Sequence, residues 1–207
     1  MYTLYFSPGA CSLATQVVLN ELNQEFNLVN KQSIQDFQAI NPVEAVPVLL
    51  SEDQTLTEGA AIMLFLLNKH PSHLFPEQPQ NQQKAIQNIM FANATMHPAY
   101  SKLFFLEQVV TDQHTKHEAM NHAADAINAL WQVVETKLDQ QSFLGGEQPS
   151  AADIMLTVYS RWGAYFPVDI KLGENCERMV NAILQRPSFI KALENEKQAE
   201  NQSQTID

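Results

Sequence analysis

Cys11 and Ser12 sit side by side in the segment Ser7-Pro8-Gly9-Ala10-Cys11-Ser12-Leu13-Ala14. A thiol beside a hydroxyl is the first pair in the chain that could do chemistry. A thiolate is a nucleophile and a partner in disulfide exchange. A helix start stabilises it, because the first N–H groups are unpaired and the dipole makes that end positive. The flanking residues predict such a start. Tyr2 to Phe6 is a short apolar run with a buried-strand pattern, Pro8-Gly9 is a turn signal, and Leu13, Val17, Val18 and Leu22 share one helical face. Strand, turn and helix place Cys11 and Ser12 in the first helical turn, where the thiol pKa is expected to fall. A plainer reading fits equally well: a lone cysteine behind a turn is often a small core residue. Cys11 has no CxxC partner, so a dithiol redox site is not indicated.

The elements that position this segment follow from pattern. Residues 2–6, 26–29, 48–50 and 55–56 predict strands, the last two joined in a hairpin through the polar turn 51–54. Residues 11–22 predict the first helix. Thr57-Glu58-Gly59 opens another, with Ile62, Phe65 and Leu66 on its apolar face and His70-Pro71 at its end. The order predicts a mixed sheet with helices on both faces. Pro71, Pro76 and Pro79 then alternate with polar residues, which reads as a linker. Every long segment beyond it has helical period: 82–110, 113–139, 151–162, 174–185 and 188–197. The tail from Gln198 to Asp207 is polar and expected to fray. The fold class is therefore α+β, with residues 1–76 as an N-terminal domain, 77–82 as linker and 83–207 as an all-helical domain.

Composition narrows the function classes. The chain has 207 residues, a net charge of -11 and two cysteines, Cys11 and Cys176. The charge argues against general nucleic-acid or anionic-membrane binding, so an anionic ligand needs local donors. No long apolar run predicts a membrane span, no secretion signal is evident, and two cysteines suit a reducing cytoplasm.

Three motifs carry a resemblance. They are Tyr5-Phe6-Ser7-Pro8-Gly9-Ala10-Cys11-Ser12-Leu13, then Asn41 to Leu49 with Leu56-Thr57-Glu58-Gly59-Ala60-Ala61-Ile62, then Ser150-Ala151-Ala152-Asp153-Ile154. Together they resemble the soluble glutathione S-transferase family, its bacterial beta class above all, over almost the whole chain. The resemblance implies a thioredoxin-like N-terminal domain and a cis Val46–Pro47 bond. It implies that Val46 pairs with the cysteinyl backbone of glutathione like an added strand. Gly59 would then supply a backbone donor to the γ-glutamyl carboxylate, and Glu58 would face the α-ammonium. Lys31 is the nearby candidate for the glycyl carboxylate, in a stretch shorter than beta-class chains usually have. Relatives often carry a hydroxyl at the Gly59 position, which is missing here.

His97 lies on an apolar helical face with Met90, Asn93 and Tyr100, and Pro98 after it predicts a kink near 94–97. A core histidine is as good a reading of the pattern alone. The resemblance implies that a histidine here faces the glutathione sulfur, to donate to the thiolate or to move a proton. Relatives often carry lysine where Pro98 stands. Ser150-x-x-Asp153 is a capping-box pattern assigned to folding, worth ~1 kcal/mol. His114, His117 and His122 do not share one face and predict no metal site. Trp131 and Trp162 read first as packing anchors.

The leading expectation is a cytoplasmic glutathione transferase with a role in detoxification. Cys11, Ser12 and His97 are its catalytic candidates, and Val46, Pro47, Glu58, Gly59 and Lys31 its glutathione residues. Tyr100, Phe104, Trp162 and Tyr165 would meet a hydrophobic electrophile. Glutathione is then a co-substrate, no cofactor is expected, and the family implies a homodimer. Two alternatives stand beside it. One is a glutathione-dependent thiol transferase or disulfide reductase using Cys11 covalently. The other is a regulatory or binding protein that keeps the fold.

Overall fold

Alternation along Tyr2–Phe6 makes the first strand, β1: Tyr2, Leu4 and Phe6 are buried while Thr3 and Tyr5 are half-buried. In this computed structural model residues 1–52 and 54–203 are described, residues 200–203 by backbone only. After β1 come α1 (Ser12–Glu21), β2 (Phe26–Asn30), β3 (Val48–Leu50), β4 (Thr55–Leu56) and α2 (Gly59–Lys69). The sheet order is β2-β1-β3-β4. β2 runs parallel to β1, with Tyr2 opposite Phe26, and β3 runs antiparallel, with Tyr5 opposite Val48. β4 returns along β3 with Leu56 opposite Leu49. The thioredoxin-like sheet expected from the resemblance is therefore present. Leu13, Val17, Val18 and Leu19 of α1 are fully buried. Each such side chain contributes ~1.5–3 kcal/mol of apolar burial.

The helical part opens with α3 (Pro79–Phe91), so the proline-rich linker expected over 77–82 is already helical from Pro79, which takes the first-turn position where its missing N–H costs nothing. The long helix expected over 82–110 is interrupted. A π-helical turn over Ala92–Met96 separates α3 from α4 (His97–Val109). Pro98 explains it: without an N–H, and with a ring that crowds the preceding turn, it cannot continue a regular ladder. α5 (Gln113–Lys137), α6 (Ala151–Ser160) and α7 (Glu174–Leu184) follow. Trp131 of α5 is fully buried and donates from Nε1 to the Tyr100 hydroxyl at 2.9 Å. The capping box at α6 forms, with Asp153 accepting from the Ser150 N–H and hydroxyl, both at 2.7 Å, and from the Leu144 N–H at 2.8 Å. At the start of α7, the Glu135 carboxylate accepts from the N–H groups of Asn175 and Cys176 at 3.0 and 2.9 Å. Gly173 leaves room for that carboxylate, which a Cβ would strike.

The last helix, α8 (Pro187–Ser203), is longer than the expected 188–197, and residues 204–207 of the expected tail lie outside the described residues. By contacts the chain forms two units, Pro76–Ile183 and Met1–Phe75 with Leu184–Asp207. α8 thus belongs to the sheet unit, packing on α1 and β2. The reason is its buried face of Phe189, Ala192 and Glu196, and a bidentate pair from Arg186 to Glu21 of α1 at 2.6 and 2.7 Å. Among the described residues no helix is long and apolar enough to cross a membrane.

Candidate functional site

Strand register brings three loops of the sheet unit to one edge. Tyr5 pairs with Val48, so the end of β1 and the start of β3 lie together. Leu49 pairs with Leu56, so the end of β4 reaches the same edge. The turn Ser7–Cys11, the pair Val46–Pro47 and the junction Glu58–Gly59 are the residues just beyond those strand ends. The expected glutathione and catalytic candidates of the first unit therefore converge, and Lys31, directly after Asn30 opposite Phe6, follows a strand end at the same edge.

The turn is tightly specified. Gly9 has φ +68°, a conformation glycine adopts without penalty. Ala10 N–H donates to the Ser7 carbonyl at 3.1 Å, and the Ser12 hydroxyl shares two 3.4 Å contacts with the Ser7 backbone, one to its carbonyl and one from its N–H. Ser12 is fully buried and serves as a brace of the turn. Gly9 N–H donates at 3.0 Å to Glu196 of α8, whose other oxygen accepts from Gln16 at 2.8 Å.

Cys11 departs from expectation. Its thiol donates to the Val46 carbonyl at 3.2 Å. Burial pushes its pKa up to about 11, and backbone N–H groups of Cys11 and Ser12 pull it down only in part. The helix start was expected to lower the thiol pKa; desolvation of the charged form outweighs it.

Val46–Pro47 is cis, as the resemblance implied. The loop before it is shaped by Asn41, buried, which donates from Nδ2 to the Ala45 carbonyl at 2.8 Å and accepts from the Val43 N–H at 3.2 Å. Lys31 does not stand free for a carboxylate: its ammonium donates to the Glu44 carbonyl and lies 5.3 Å from the Phe37 ring. Glu58 is exposed with φ +67°, and Gly59 begins α2. A non-glycine residue in that region costs ~1–3 kcal/mol and is typical of ligand-holding positions.

The remaining candidates belong to the helical unit. His97 follows the π-helical turn and is half-buried. Its ring meets Tyr159 and Trp162 edge-on at centroid distances of 5.3 and 5.1 Å, and burial lowers its pKa. Phe104 touches Trp162, Tyr165 and Phe166, at 5.9, 6.3 and 4.8 Å. Phe104 and Tyr165 are exposed, and Trp162 is buried. Tyr100, expected to face a second substrate, is sealed in the core at 0% exposure. Burial raises its pKa to about 12 although the Trp131 N–H pulls the other way. It is a packing residue.

Glu196, Asn41 and Ser101 were missed in the sequence. Glu196 carried a signal: Phe189, Ala192 and Glu196 are spaced on one helical face, so a carboxylate stands in an apolar row. Asn41 before Pro42 is only a turn signal, and Ser101 has none beyond its i+4 spacing from His97.

Sheet edge, braced thiol turn, cis proline and all-helical second unit define a thioredoxin-like fold with an appended helical domain. Family models described as glutathione S-transferase, N-terminal domain and glutathione S-transferase, C-terminal domain match residues 2–79 and 92–187. Glutathione S-transferase GST-4.5 of Xanthomonas campestris is 30% identical over 173 residues, spanning 81% of this chain and 85% of that protein. A sphingomonad glutathione S-transferase complexed with glutathione has a TM-score of 0.82 at 30% identity, covering 94% of this chain and 98% of that one. A bacterial beta-class enzyme from Sphingomonas chungbukensis scores 0.80 at 30% identity with the same coverage. The chain belongs to the glutathione S-transferase family and is similar to its bacterial beta class.

Proposed function

We propose that this protein is a glutathione transferase that joins the glutathione sulfur to hydrophobic electrophiles. The observation that carries the reading is the convergence of the Ser7–Cys11 turn, cis Val46–Pro47 and Glu58–Gly59 on one sheet edge. A similar fold with glutathione bound supports it. In this reading Val46 pairs with the cysteinyl backbone. The start of α2 at Gly59 holds the γ-glutamyl carboxylate, and Glu58 takes the ammonium. The start of α1 stabilises the sulfur as thiolate; each unit of pKa lowered is worth ~1.4 kcal/mol. Phe104, Trp162 and Tyr165 are the proposed contacts of the electrophile, and His97 is the proposed proton-handling group. The thiol loses its proton, and its electron pair forms a bond to carbon as the leaving group departs.

Cys11 acts in this reading as a neutral neighbour and not as the nucleophile. A half-buried thiol whose pKa is pushed up to about 11 is a poor partner for exchange at neutral pH. A cytoplasmic setting, a homodimer and a role in detoxification accompany the reading.

Calorimetry with glutathione on wild type and Cys11→Ala, under reducing conditions, tests the site. An absorbance assay with 1-chloro-2,4-dinitrobenzene then tests conjugation. Binding and conjugation in both proteins is the expected result. No binding by wild type overturns the reading, and activity lost only with the thiol moves it to exchange.

A further inference from the structure

His97 and Ser101 lie one turn apart on α4, and the contacts of one hydroxyl decide where a proton sits. Ser101 Oγ donates to the His97 carbonyl at 3.0 Å and lies 3.3 Å from His97 Nδ1. A carbonyl oxygen only accepts, and a serine hydroxyl has a single proton. With that proton in the shorter contact, to a group that can only accept, the hydroxyl offers Nδ1 a lone pair. Nδ1 would then carry the hydrogen and Nε2 a bare lone pair. The hydrogen bond made by one ring nitrogen sets the state of the other. Edge contacts to Tyr159 and Trp162 hold the ring in place, and burial favours its neutral form.

We propose that Ser101 is a positioning residue that locks His97 as the Nδ1–H tautomer, so that Nε2 accepts a hydrogen bond and cannot donate one. This separates two roles open to His97. A donor to a preformed thiolate needs hydrogen on the presented nitrogen. An acceptor takes the proton from the thiol: the S–H bond breaks, the electron pair stays on sulfur, and the proton forms an Nε2–H bond. The imidazolium that results keeps its Nδ1–H on the Ser101 oxygen. The assignment of the tautomer rests on α4 alone; what His97 takes the proton from rests on the function proposed above.

The test uses the full chain with ring-15N histidine at a pH where His97 is neutral, with His97→Asn identifying its signals. Wild type is expected to show a pyrrole-like Nδ1 and a pyridine-like Nε2. Ser101→Ala should shift the ring towards the Nε2–H form, and Ser101→Thr should keep the wild-type pattern. In the conjugation assay Ser101→Ala should lower kcat about tenfold, with KM for glutathione within about twofold and recovery in Ser101→Thr. That fall is part of the ~10²-fold or larger effect of a positioned acid–base group. A pyrrole-like Nε2 in wild type overturns the proposal, as does an unchanged tautomer or an unchanged kcat in Ser101→Ala. Should Ser101→Ala not fold, the wild-type and Ser101→Thr spectra decide. If the tautomer behaves as stated and no glutathione is bound, the proposal on Ser101 stands and the proposed function falls.

Discussion

Cys11 departs from its residue type in its pKa, and Glu58 in its backbone conformation. The Cys11 thiol stays protonated from its ordinary 9.0 up to about 11. Because the folded value is the raised one, this group's stabilisation is complete below about 9 and is lost as pH rises through about 11. The shift from 9.0 to about 11 cuts the thiolate fraction at neutral pH about a hundredfold. Iodoacetamide at pH 7.5, followed by peptide mass mapping, should therefore modify Cys11 far more slowly in folded than in unfolded protein. Rapid labelling would show an activated thiolate and return the chemistry to disulfide exchange. Glu58 is the second case. Glu58→Gly should raise stability by ~1 kcal/mol in urea unfolding by relieving its positive φ. In calorimetry it should also weaken glutathione binding, because it removes the carboxylate. Unchanged affinity would take Glu58 out of the ligand site.

At the scale of elements, Asp153 shows how an ordinary sequence signal can understate a structural role. The Ser150-x-x-Asp153 pattern reads as a cap worth ~1 kcal/mol. In the fold this carboxylate is buried and gathers three donors, two from Ser150 and one from the Leu144 backbone. Asp153→Ala strands all three, and should cost about 2–4 kcal/mol in chemical denaturation, with Asp153→Asn intermediate. A loss near 1 kcal/mol would reduce Asp153 to a simple cap. The strands, α1, α2 and the edge they form were legible, because alternation, turn residues and helical faces are local. The break at 92–96 was legible only as a kink, since Pro98 signals a lost hydrogen bond but not the π-helical turn that absorbs it. The thiol's neutrality was not legible, because desolvation depends on what packs around Cys11, and Val46 comes from 35 residues away. Tyr100 misled for a related reason: a face shared with His97 does not say which of the two reaches solvent.

For the molecule as a whole, the decisive fact is that α8 completes the sheet unit. Its grip is ionic as well as apolar. The Glu21 side chain, 8% exposed, is held by Arg186, by the Ser188 hydroxyl and by His73 at 3.7 Å. Burial alone would raise the Glu21 pKa, but the Arg186 and Ser188 bonds more than offset it and hold the value below 4.5. A depressed carboxylate contributes stability that is present above its ordinary value and lost as pH falls through the folded one. Arg186→Ala should cost about 2–3 kcal/mol at pH 7, somewhat less than a fully buried pair because the guanidinium is partly exposed. The difference from wild type should shrink below pH 4.5, as urea midpoints at several pH values would show; a difference that ignores pH would mean packing alone. The bond from Gly9 to Glu196 spans 187 positions of sequence. At ~5–20 residues per second, a ribosome reaches Glu196 roughly 10–40 s after the thiol turn has been made. A nascent chain therefore carries that turn without its carboxylate partner until the last helix is synthesised.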